Sequence, residues 1–389
     1  MTSTIKADVV TAQTTNGNVT LQGNGTGTVA ISDNTAITGT LSATGAATLS
    51  SQAYPTAGGL WSGRNMVING SMAVSQRATS ATGLGAAASY PTLDRYQLAG
   101  NTNGRVTMSQ TADGPSGIAN CLKLACTTAD TSIASGGYFF FHQKFEGQNL
   151  QRWAKGTADA KTVTVSFWVK GNASATYVVA LEDADNTRHC GFTFPVTTSW
   201  TRITRTFPAD TTGAFDDDNA YSLTCIFHLS AGSDRTSGTL PSTWQATVTA
   251  NRCPGITQFL DSTSRTFFLT GLQMEVGAAT PFEHESYSET LQKCQRYFTK
   301  IAPKVNAVTV RGYNSSGAVV SSWFSFPTQM RTEPTCAITG TWAVSNCGQP
   351  AFQSFSVDGF LFGATTSSAA DTYFYPDASS EYITASAEL

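Results

Sequence analysis

The stretch AYSLTCIFHLS, residues 220–230, alternates between apolar and polar side chains. In an extended chain, residues two positions apart share a face. One face of this segment would then carry only large or apolar groups, namely Tyr221, Leu223, Cys225, Phe227 and Leu229. The other face would carry Ser222, Thr224 and His228. We therefore expect a strand that buries one face and leaves His228 exposed on the other.

The same alternation recurs in other parts of the chain. It is clear in TVTVSFWVKGN, residues 162–172, and in FFLTGLQMEV, residues 267–276. In RNMVINGSMAVSQRAT, residues 64–79, the pair Asn69 and Gly70 lies between two alternating runs, which indicates a hairpin turn. Short alternating strands joined by polar loops, without helical periodicity between them, predict an all-β protein built on an antiparallel sandwich.

The composition argues against several classes of partner. Charged residues make up 13% of the 389 residues, the formal net charge is −3, and no basic run occurs. We therefore expect neither nucleic acid nor an anionic membrane as a partner. No apolar stretch is long enough to span a bilayer and the N-terminus lacks the apolar core of a signal peptide, so we expect no membrane insertion and synthesis in a cytoplasm.

The cysteines fit the same setting. All eight lie at scattered positions without a C-x-x-C pair. We expect buried free thiols in a reducing compartment, with disulfides as the alternative. The positions are Cys121, Cys126, Cys190, Cys225, Cys253, Cys294, Cys336 and Cys347.

Changes in composition divide the chain into four segments. Residues 1–58 are rich in Gly, Asn and Thr with isolated apolar residues, which favours an extended shaft that folds only when several identical chains combine; a disordered tail is the alternative. Residues 59–286 contain the sandwich strands. Residues 287–300 predict a helical joint, and residues 301–389 return to strand patterns and predict a smaller β domain.

The predicted helix has recognisable ends and one apolar face. Ser286 and Glu289 have the spacing of a capping box. Leu291, Cys294 and Phe298 then share a face. We expect this face to pack against its copies near the threefold axis of a homotrimer; packing on its own sandwich is the alternative.

Residues for catalysis or metal binding are present but do not form a motif. The four histidines lie in separate segments, and no hydrolase, zinc or phosphate-binding motif occurs. Clusters of acidic residues occur in two loops, LEDADNTR and FDDDNAYS. They predict either a structural calcium site or solvated loops, and a carboxylate pair for glycoside hydrolysis is a further alternative. The candidate ligands are Asp183, Asp185, Asp216 and Asp218.

Aromatic residues are the third chemical resource. The chain has 7 Trp, 12 Tyr and 22 Phe. Aromatic rings can stack on sugar rings while neighbouring polar groups bond the hydroxyls. On presumed loops, Trp244, Trp342, Tyr373 and Tyr375 are the candidates for such contacts, with core packing or a subunit contact as the alternative for each.

Two motifs near the ends of the sandwich resemble those of a family of tailed-bacteriophage virion proteins. The first motif contains Asn65, Ile68, Asn69, Gly70, Gln76, Arg77, Tyr90, Asp94, Arg95 and Tyr96. The second contains Gln273, Glu275, Gly277, Thr280, Pro281, Phe282, Cys294, Gln295, Arg296 and Tyr297. The resemblance spans residues 60–389 and implies a trimeric appendage with a jelly-roll sandwich similar to carbohydrate-binding modules.

The resemblance implies structural roles for the motif residues. Arg77 and Arg95 would pair with Asp94 or Glu275 and tie the first and last strands together. The implied function is that of a tail fibre that adheres to host-surface glycans without enzymatic activity and is located in the virion. Its partners would be its own copies, other virion proteins at the N-terminus, and the host polysaccharide. A head fibre or capsid decoration protein, and a polysaccharide-degrading tailspike, are the alternatives.

Overall fold

The computed structural model describes strands Ala47–Leu49 and Gln52–Tyr54 and residues 63–389. The chain divides into two units, Met1–Thr56 and Ala57–Leu389. In the first unit β1 (Ala47–Leu49) and β2 (Gln52–Tyr54) form an antiparallel hairpin with Ala47 opposite Tyr54. The rest of the predicted shaft, residues 1–58, lies outside the described residues.

The second unit begins with a sandwich of two antiparallel six-stranded sheets. Its strands are, in chain order, β3 (Ser80–Leu84), β4 (Gln97–Gly100), β5 (Arg105–Thr111), β6 (Cys121–Thr128), β7 (Tyr138–Glu146), β8 (Val163–Gly171), β9 (Ala175–Asp183), β10 (Arg188–Val196), β11 (Thr201–Phe207), β12 (Tyr221–Ala231), β13 (Gln245–Ala246) and β14 (Thr266–Val276). The first sheet has the order β13-β10-β9-β12-β7-β4, and the second has the order β11-β8-β14-β6-β5-β3. The predicted all-β sandwich of jelly-roll type is therefore confirmed.

The alternation in residues 220–230 produces strand β12, as predicted. Leu223, Cys225, Phe227 and Leu229 are fully or almost fully buried between the two sheets. The ring of Phe227 stacks on Phe141 at 4.8 Å between centroids and meets Phe167 edge-on at 5.1 Å. Truncating such a ring in a closely packed core costs ~3–5 kcal/mol. The apolar face of β12 thus lies at the centre of the sandwich.

The opposite face of β12 is also buried, which corrects the expectation for His228. The segment between β12 and β14 contains the short helix α1 (Ser233–Thr236) and passes over this face of the first sheet. Leu240, Cys253 and Ile256 of the segment pack on Ile226 and its neighbours. His228 is therefore completely buried instead of exposed. A strand pattern cannot reveal a later segment that folds back over its polar face.

A buried ionic cluster lies under this covering segment. Arg252 from the segment forms an ion pair with Glu182 on β9, and His228 Nε2 lies 3.8 Å from the same carboxylate. His189 on β10 is also fully buried, and neither of its ring nitrogens has a hydrogen-bond partner. Burial lowers the pKa of both histidines. The Arg252–Glu182 pair attaches the covering segment to the sheet.

The helix begins where the capping box predicts and ends earlier than expected. In α2 (Tyr287–Gln295), Ser286 accepts a hydrogen bond from the Glu289 amide and the Glu289 side chain accepts one from the Ser286 amide. The helix stops after Gln295, because the chain turns at Arg296 and enters a strand at Phe298. The predicted helical joint over residues 287–300 is thus too long. Gln295 is half-buried at this end.

The apolar face of this region packs within its own chain. Cys294 is fully buried and Phe298 is 6% exposed in the single chain. The guanidinium of Arg77, from the sandwich, lies 3.6 Å from the Phe298 ring centroid. Of the two arrangements considered for this face, the structure has the one in which it packs on its own sandwich.

The C-terminal β domain has three three-stranded antiparallel sheets. Its strands are β15 (Phe298–Ile301), β16 (Val310–Asn314), β17 (Val319–Ser325), β18 (Thr335–Ile338), β19 (Ala343–Ser345), β20 (Ala351–Phe355), β21 (Gly359–Thr365), β22 (Ala370–Tyr375) and β23 (Ile383–Ser386). The sheets have the orders β15-β23-β18, β16-β22-β19 and β17-β21-β20. Trp342, Phe360, Phe362 and Phe374 lie in a core separate from that of the sandwich.

The first sequence motif folds into a compact turn rather than a hairpin. Asn69 is in the left-handed region at φ 62°, and its side chain bonds the main chain of Val74 and Asp94. The residues around it are not in paired strands. A Cβ at Gly70 would lie 2.1 Å from the Leu272 carbonyl oxygen, so only glycine fits between this turn and β14.

Charged residues of the motif join the sandwich to the end of the C-terminal domain. Arg95 is 1% exposed, forms an ion pair with Glu388 and lies 3.4 Å from the Tyr297 ring centroid. Arg77 reaches the same Glu388 carboxylate at 3.2 Å. We call Arg77, Arg95 and Glu388 the clasp. The pairing is thus different from the expected one for Arg95, whose partner is Glu388 instead of Asp94 or Glu275.

The remaining acidic motif residues have other partners. Asp94 accepts hydrogen bonds from the Gln76 amide groups and lies 3.8 Å from Arg77, the one expected pair that forms. Burial raises its pKa to about 6. Glu275 lies 3.6 Å from Arg64 and accepts hydrogen bonds from Thr280. These carboxylates therefore fix local turns within the sandwich.

The clasp generates a stability prediction. Glu388→Gln removes the charge that neutralises Arg95, whose side chain is 1% exposed, so we expect a loss of about 3 kcal/mol in the free energy of unfolding. Urea denaturation measures this loss. Asp113→Asn is the matched control, because the Lys170–Asp113 pair is on the surface and its loss should cost less than ~1 kcal/mol. Equal stabilities for the two variants would contradict the role of the clasp.

The covered face of the first sheet generates a pH prediction. Burial lowers the pKa of His142 to about 3, and the charge of Lys144 lowers this pKa further. Glu182 has a smaller effect that raises it, and His228 and Arg95 have smaller effects that lower it. In the unfolded chain His142 takes up a proton near pH 6.5, whereas in the folded chain it stays neutral until the pH approaches 3. The contribution of neutral His142 to the free energy of unfolding is therefore complete above pH 6.5 and is lost as pH falls toward 3. The ring bonds Gln97 at 2.7 Å, a contact that glutamine can replace.

Between pH 7 and pH 4.5, we expect the free energy of unfolding of the His142→Gln variant to fall by about 2 kcal/mol less than that of the wild-type chain. Chemical denaturation at both pH values measures the difference. If the wild-type chain and the variant lose the same amount, His142 is not the titrating group.

Candidate functional site

Two of the four predicted aromatic contacts are core residues. Trp244 is 8% exposed, meets Trp153 edge-on, and its indole N–H donates to the Pro208 carbonyl oxygen. Trp342 is 1% exposed and donates to the Thr339 carbonyl oxygen. Neither ring presents a free face, so the prediction that they contact a ligand is wrong. Both follow irregular segments, which is why the sequence suggested exposed loops.

The other two, Tyr373 and Tyr375, lie together on one surface. They are two positions apart on β22 and therefore share a face of the sheet. Their ring centroids are 6.3 Å apart and their planes differ by 18°. Both are half-buried, whereas Phe374 between them points into the core. The structure thus places both tyrosines in a strand and not in a loop, with part of each side chain open to solvent.

Charged and polar groups surround these rings on the same face. On the neighbouring strand β16, Arg311 lies opposite Tyr373 and Tyr313 lies opposite Asp371. Arg311 holds Asp371 through two hydrogen bonds, at 3.0 Å from Nε and 2.6 Å from Nη2. The hydrogen bonds from Arg311 lower the pKa of Asp371. We call Arg311, Tyr313, Asp371, Tyr373 and Tyr375 the tyrosine face.

The tyrosine face is accessible to large ligands. Tyr313 is 74% exposed, the highest value among the exposed large hydrophobic residues of the described chain. The side chains of Arg311 and Asp371 are 64% and 48% exposed. This exposed ion pair contributes little to stability. Its donors and acceptors therefore remain available at the edge of an aromatic surface.

A further exposed aromatic residue, Trp323, lies on the adjacent sheet. It is 49% exposed on β17 and its indole N–H donates to Ser325 at 3.2 Å. A Cβ at Gly359 would come within 2.8 Å of the indole, so the glycine allows the ring to lie close to the sheet. The alternation in SSWFSF places Trp323 on the face of Ser321 and Ser325, opposite to Phe324. This alternation is the sequence signal that identifies Trp323 as an exposed aromatic residue.

The predicted acidic ligands do not converge on one point. Asp183 is buried and bonds Lys155 and Asn186. Asp185 accepts a hydrogen bond from the Asp216 amide, and Asp218 accepts one from the Ala220 amide. Within residues 63–389, no group of three or more His, Cys, Asp or Glu side chains could hold a metal ion. Asp183, Asp185 and Asp218 therefore stabilise loops, and the four aspartates do not form the shared set of ligands that the calcium interpretation requires.

The cysteines are free, as the sequence predicts; six are buried and two are half-buried. Among the described residues, no helix is both long and apolar enough to cross a membrane.

No protein-family model and no curated protein matches the chain. Among solved structures it is similar to the family 11 carbohydrate-binding module of cellulase Lic26A-Cel5E of Clostridium thermocellum, with 14% identity, a TM-score of 0.26, and coverage of 50% of this chain and 96% of that one. It is also similar to the CBM22-1 xylan-binding domain of Xyn10C from Paenibacillus barcinonensis, with 12% identity, a TM-score of 0.25, and coverage of 47% and 87%. Structural similarity at these identities and TM-scores does not indicate a ligand or an activity for this chain.

Proposed function

We propose that this chain is a non-enzymatic bacteriophage fibre protein of the tail-fibre type that adheres to host-surface glycans. The observation that carries the proposal is the tyrosine face, where half-buried aromatic rings lie beside an exposed Arg311–Asp371 pair. Trp323 on the adjacent sheet adds an exposed indole. The virion setting rests on the resemblance of the two sequence motifs to phage appendage proteins.

The chemistry of the tyrosine face suits a sugar chain. The C–H groups of a pyranose ring can pack on tyrosine or tryptophan rings, and such contacts combine apolar burial with a fixed orientation. Arg311 can donate to hydroxyl oxygens and Asp371 can accept from hydroxyl groups. The surface is open rather than a deep pocket, which suits a long polymer better than a small free ligand.

A weak contact between one tyrosine face and a glycan is sufficient for attachment if the protein is a trimer. We propose a homotrimer that assembles through the N-terminal region, because Cys294 and Phe298 of the predicted apolar face are already buried within their own chain. Three tyrosine faces on one particle would bind a repetitive polysaccharide with an avidity far above that of one face. Sedimentation analysis should give about three times the 41.0 kDa chain mass; a 41.0 kDa species would contradict the trimer.

The glycan proposal predicts the effect of removing the aromatic rings. In the full chain, Tyr373→Ala combined with Tyr375→Ala should weaken binding to extracted host polysaccharide by about 30-fold, since each of the two rings contributes about 1 kcal/mol. Trp323→Ala should weaken it by about 5-fold on the same basis. Tyr287→Ala is the matched control, because that tyrosine is 60% exposed but lies on α2. Isothermal titration calorimetry measures the affinities.

Three outcomes separate the possible functions. Loss of binding in the tyrosine and tryptophan variants, but not in the control, supports the glycan contact. If the wild-type chain does not bind, and phage that lack it adsorb normally, a head fibre or capsid decoration protein replaces the proposal. Release of reducing sugar during the assay would instead indicate a polysaccharide-degrading tailspike.

A further inference from the structure

A second surface with binding chemistry lies at the joint between the sandwich and the C-terminal domain. It is an open cleft of about 510 Å³ between residues 63–68, the turns at residues 148–152, the end of α2 and Gln329. Its volume is within the range of ordinary ligand pockets. The tyrosine face contributes no residue to the cleft. The cleft is therefore a separate candidate site.

Every charged side chain that lines the cleft is a cation. These residues are Arg152, Lys293 and Arg296. The whole chain carries a formal net charge of −3, so this lining differs from the average surface. A wall with one sign of charge attracts ligands of the opposite sign.

Two of the three cations are already fixed by carboxylates outside the lining. Arg296 holds the buried Glu146 through Nε at 2.9 Å and Nη2 at 2.7 Å. Burial opposes the ionised form of Glu146, but the bonds from Arg296 and Tyr297 lower its pKa. Lys293 pairs with Glu285 and its side chain remains 45% exposed. These pairs fix the positions of the two cations and leave them at the cleft.

Arg152 is the cation that remains available. It is exposed and donates from Nη1 to the Gly63 carbonyl oxygen, and it forms no ion pair with a carboxylate of the described residues. Burial lowers the pKa of Arg152, against a smaller opposing effect of Glu283. Both oxygens of the Glu283 carboxylate accept hydrogen bonds from main-chain amides, those of Gly63 and Asn65. The remaining guanidinium donors form the planar fork that suits a carboxylate.

The rest of the lining can bind hydroxyl groups. Gln148 donates its amide group to Glu146 and Gln329 donates its amide group to Asp358, so the side-chain oxygen of each can still accept. Asn149 is exposed at the same cleft. Met66 and Ile68 supply apolar contacts. A ligand that combines one carboxylate, several hydroxyl groups and a small apolar face matches this arrangement.

We propose that the cleft binds an acidic sugar of the uronic-acid class within the host glycan, with Arg152 on the carboxylate. Lys293 adds electrostatic attraction, and Gln148, Asn149 and Gln329 bond the hydroxyl groups. The inference rests on the proposed glycan-binding function but uses a different surface, so the two can be tested separately.

The test is calorimetric titration of the full chain with a galacturonic acid trisaccharide and with its methyl ester, which lacks the charges. The wild-type chain should bind the acid form and lose affinity as salt is added, whereas the ester should bind at least 10-fold more weakly. Arg152→Gln should weaken binding of the acid form by about 10-fold. Arg205→Gln is the matched control, because that guanidinium also donates to a main-chain oxygen, of Thr193, away from the cleft.

The outcomes distinguish the two proposals. Equal binding of acid and ester, or no effect of Arg152→Gln, overturns the cleft assignment. If the Tyr373 and Tyr375 variant loses the acid trisaccharide but Arg152→Gln does not, the ligand binds the tyrosine face and the proposed function stands without the cleft. Competition by inorganic phosphate as strong as by galacturonate overturns the assignment to a carboxylate. If the wild-type chain binds neither the trisaccharide nor host polysaccharide, both proposals fail.

Discussion

The buried ion pair between Arg95 and Glu388 is the interaction on which the arrangement of the two β domains depends. It joins a residue near the start of the sandwich to one near the end of the C-terminal domain, 293 positions apart. A buried charge is costly unless it is paired, so neither residue is stable here without the other. Arg77 adds a second cation to Glu388, and the rings of Tyr297 and Phe298 pack on the two guanidinium groups. Charge and packing thus hold one orientation of the joint.

That orientation determines which surfaces are available for binding. The end of α2, the turns after β7 and Gln329 of the C-terminal domain line the cleft, and the buried Glu146 directs Arg296. The covered face of the first sheet is closed by the segment between β12 and β14, which Arg252 attaches to Glu182. The proposed binding surfaces therefore lie on two sheets of the C-terminal domain, β16-β22-β19 and β17-β21-β20, and at the joint.

The sequence predicts the local structure well and the tertiary contacts poorly, for physical reasons. Alternation places Leu223 and Phe227 in the core because strand periodicity is a local property. The capping box at Ser286 is also local, and it is confirmed. The burial of His228, Trp244 and Trp342 depends on segments that arrive from elsewhere in the chain. Strand alternation also places Tyr373 and Tyr375 on one face of β22. Their neighbours Arg311 and Tyr313 lie on a strand about 60 residues earlier in the chain, and the spacing of residues in the sequence does not predict this strand pairing.

Hydrogen–deuterium exchange of the full chain, with and without extracted host polysaccharide, tests most directly whether glycans contact the β16-β22-β19 and β17-β21-β20 sheets of the C-terminal domain. The account predicts slower exchange on polysaccharide addition in β16, β17 and β22, which carry the tyrosine face and Trp323, with the core strand β12 unchanged. Protection confined to the sandwich, or no protection even at saturating polysaccharide concentrations, would contradict the account.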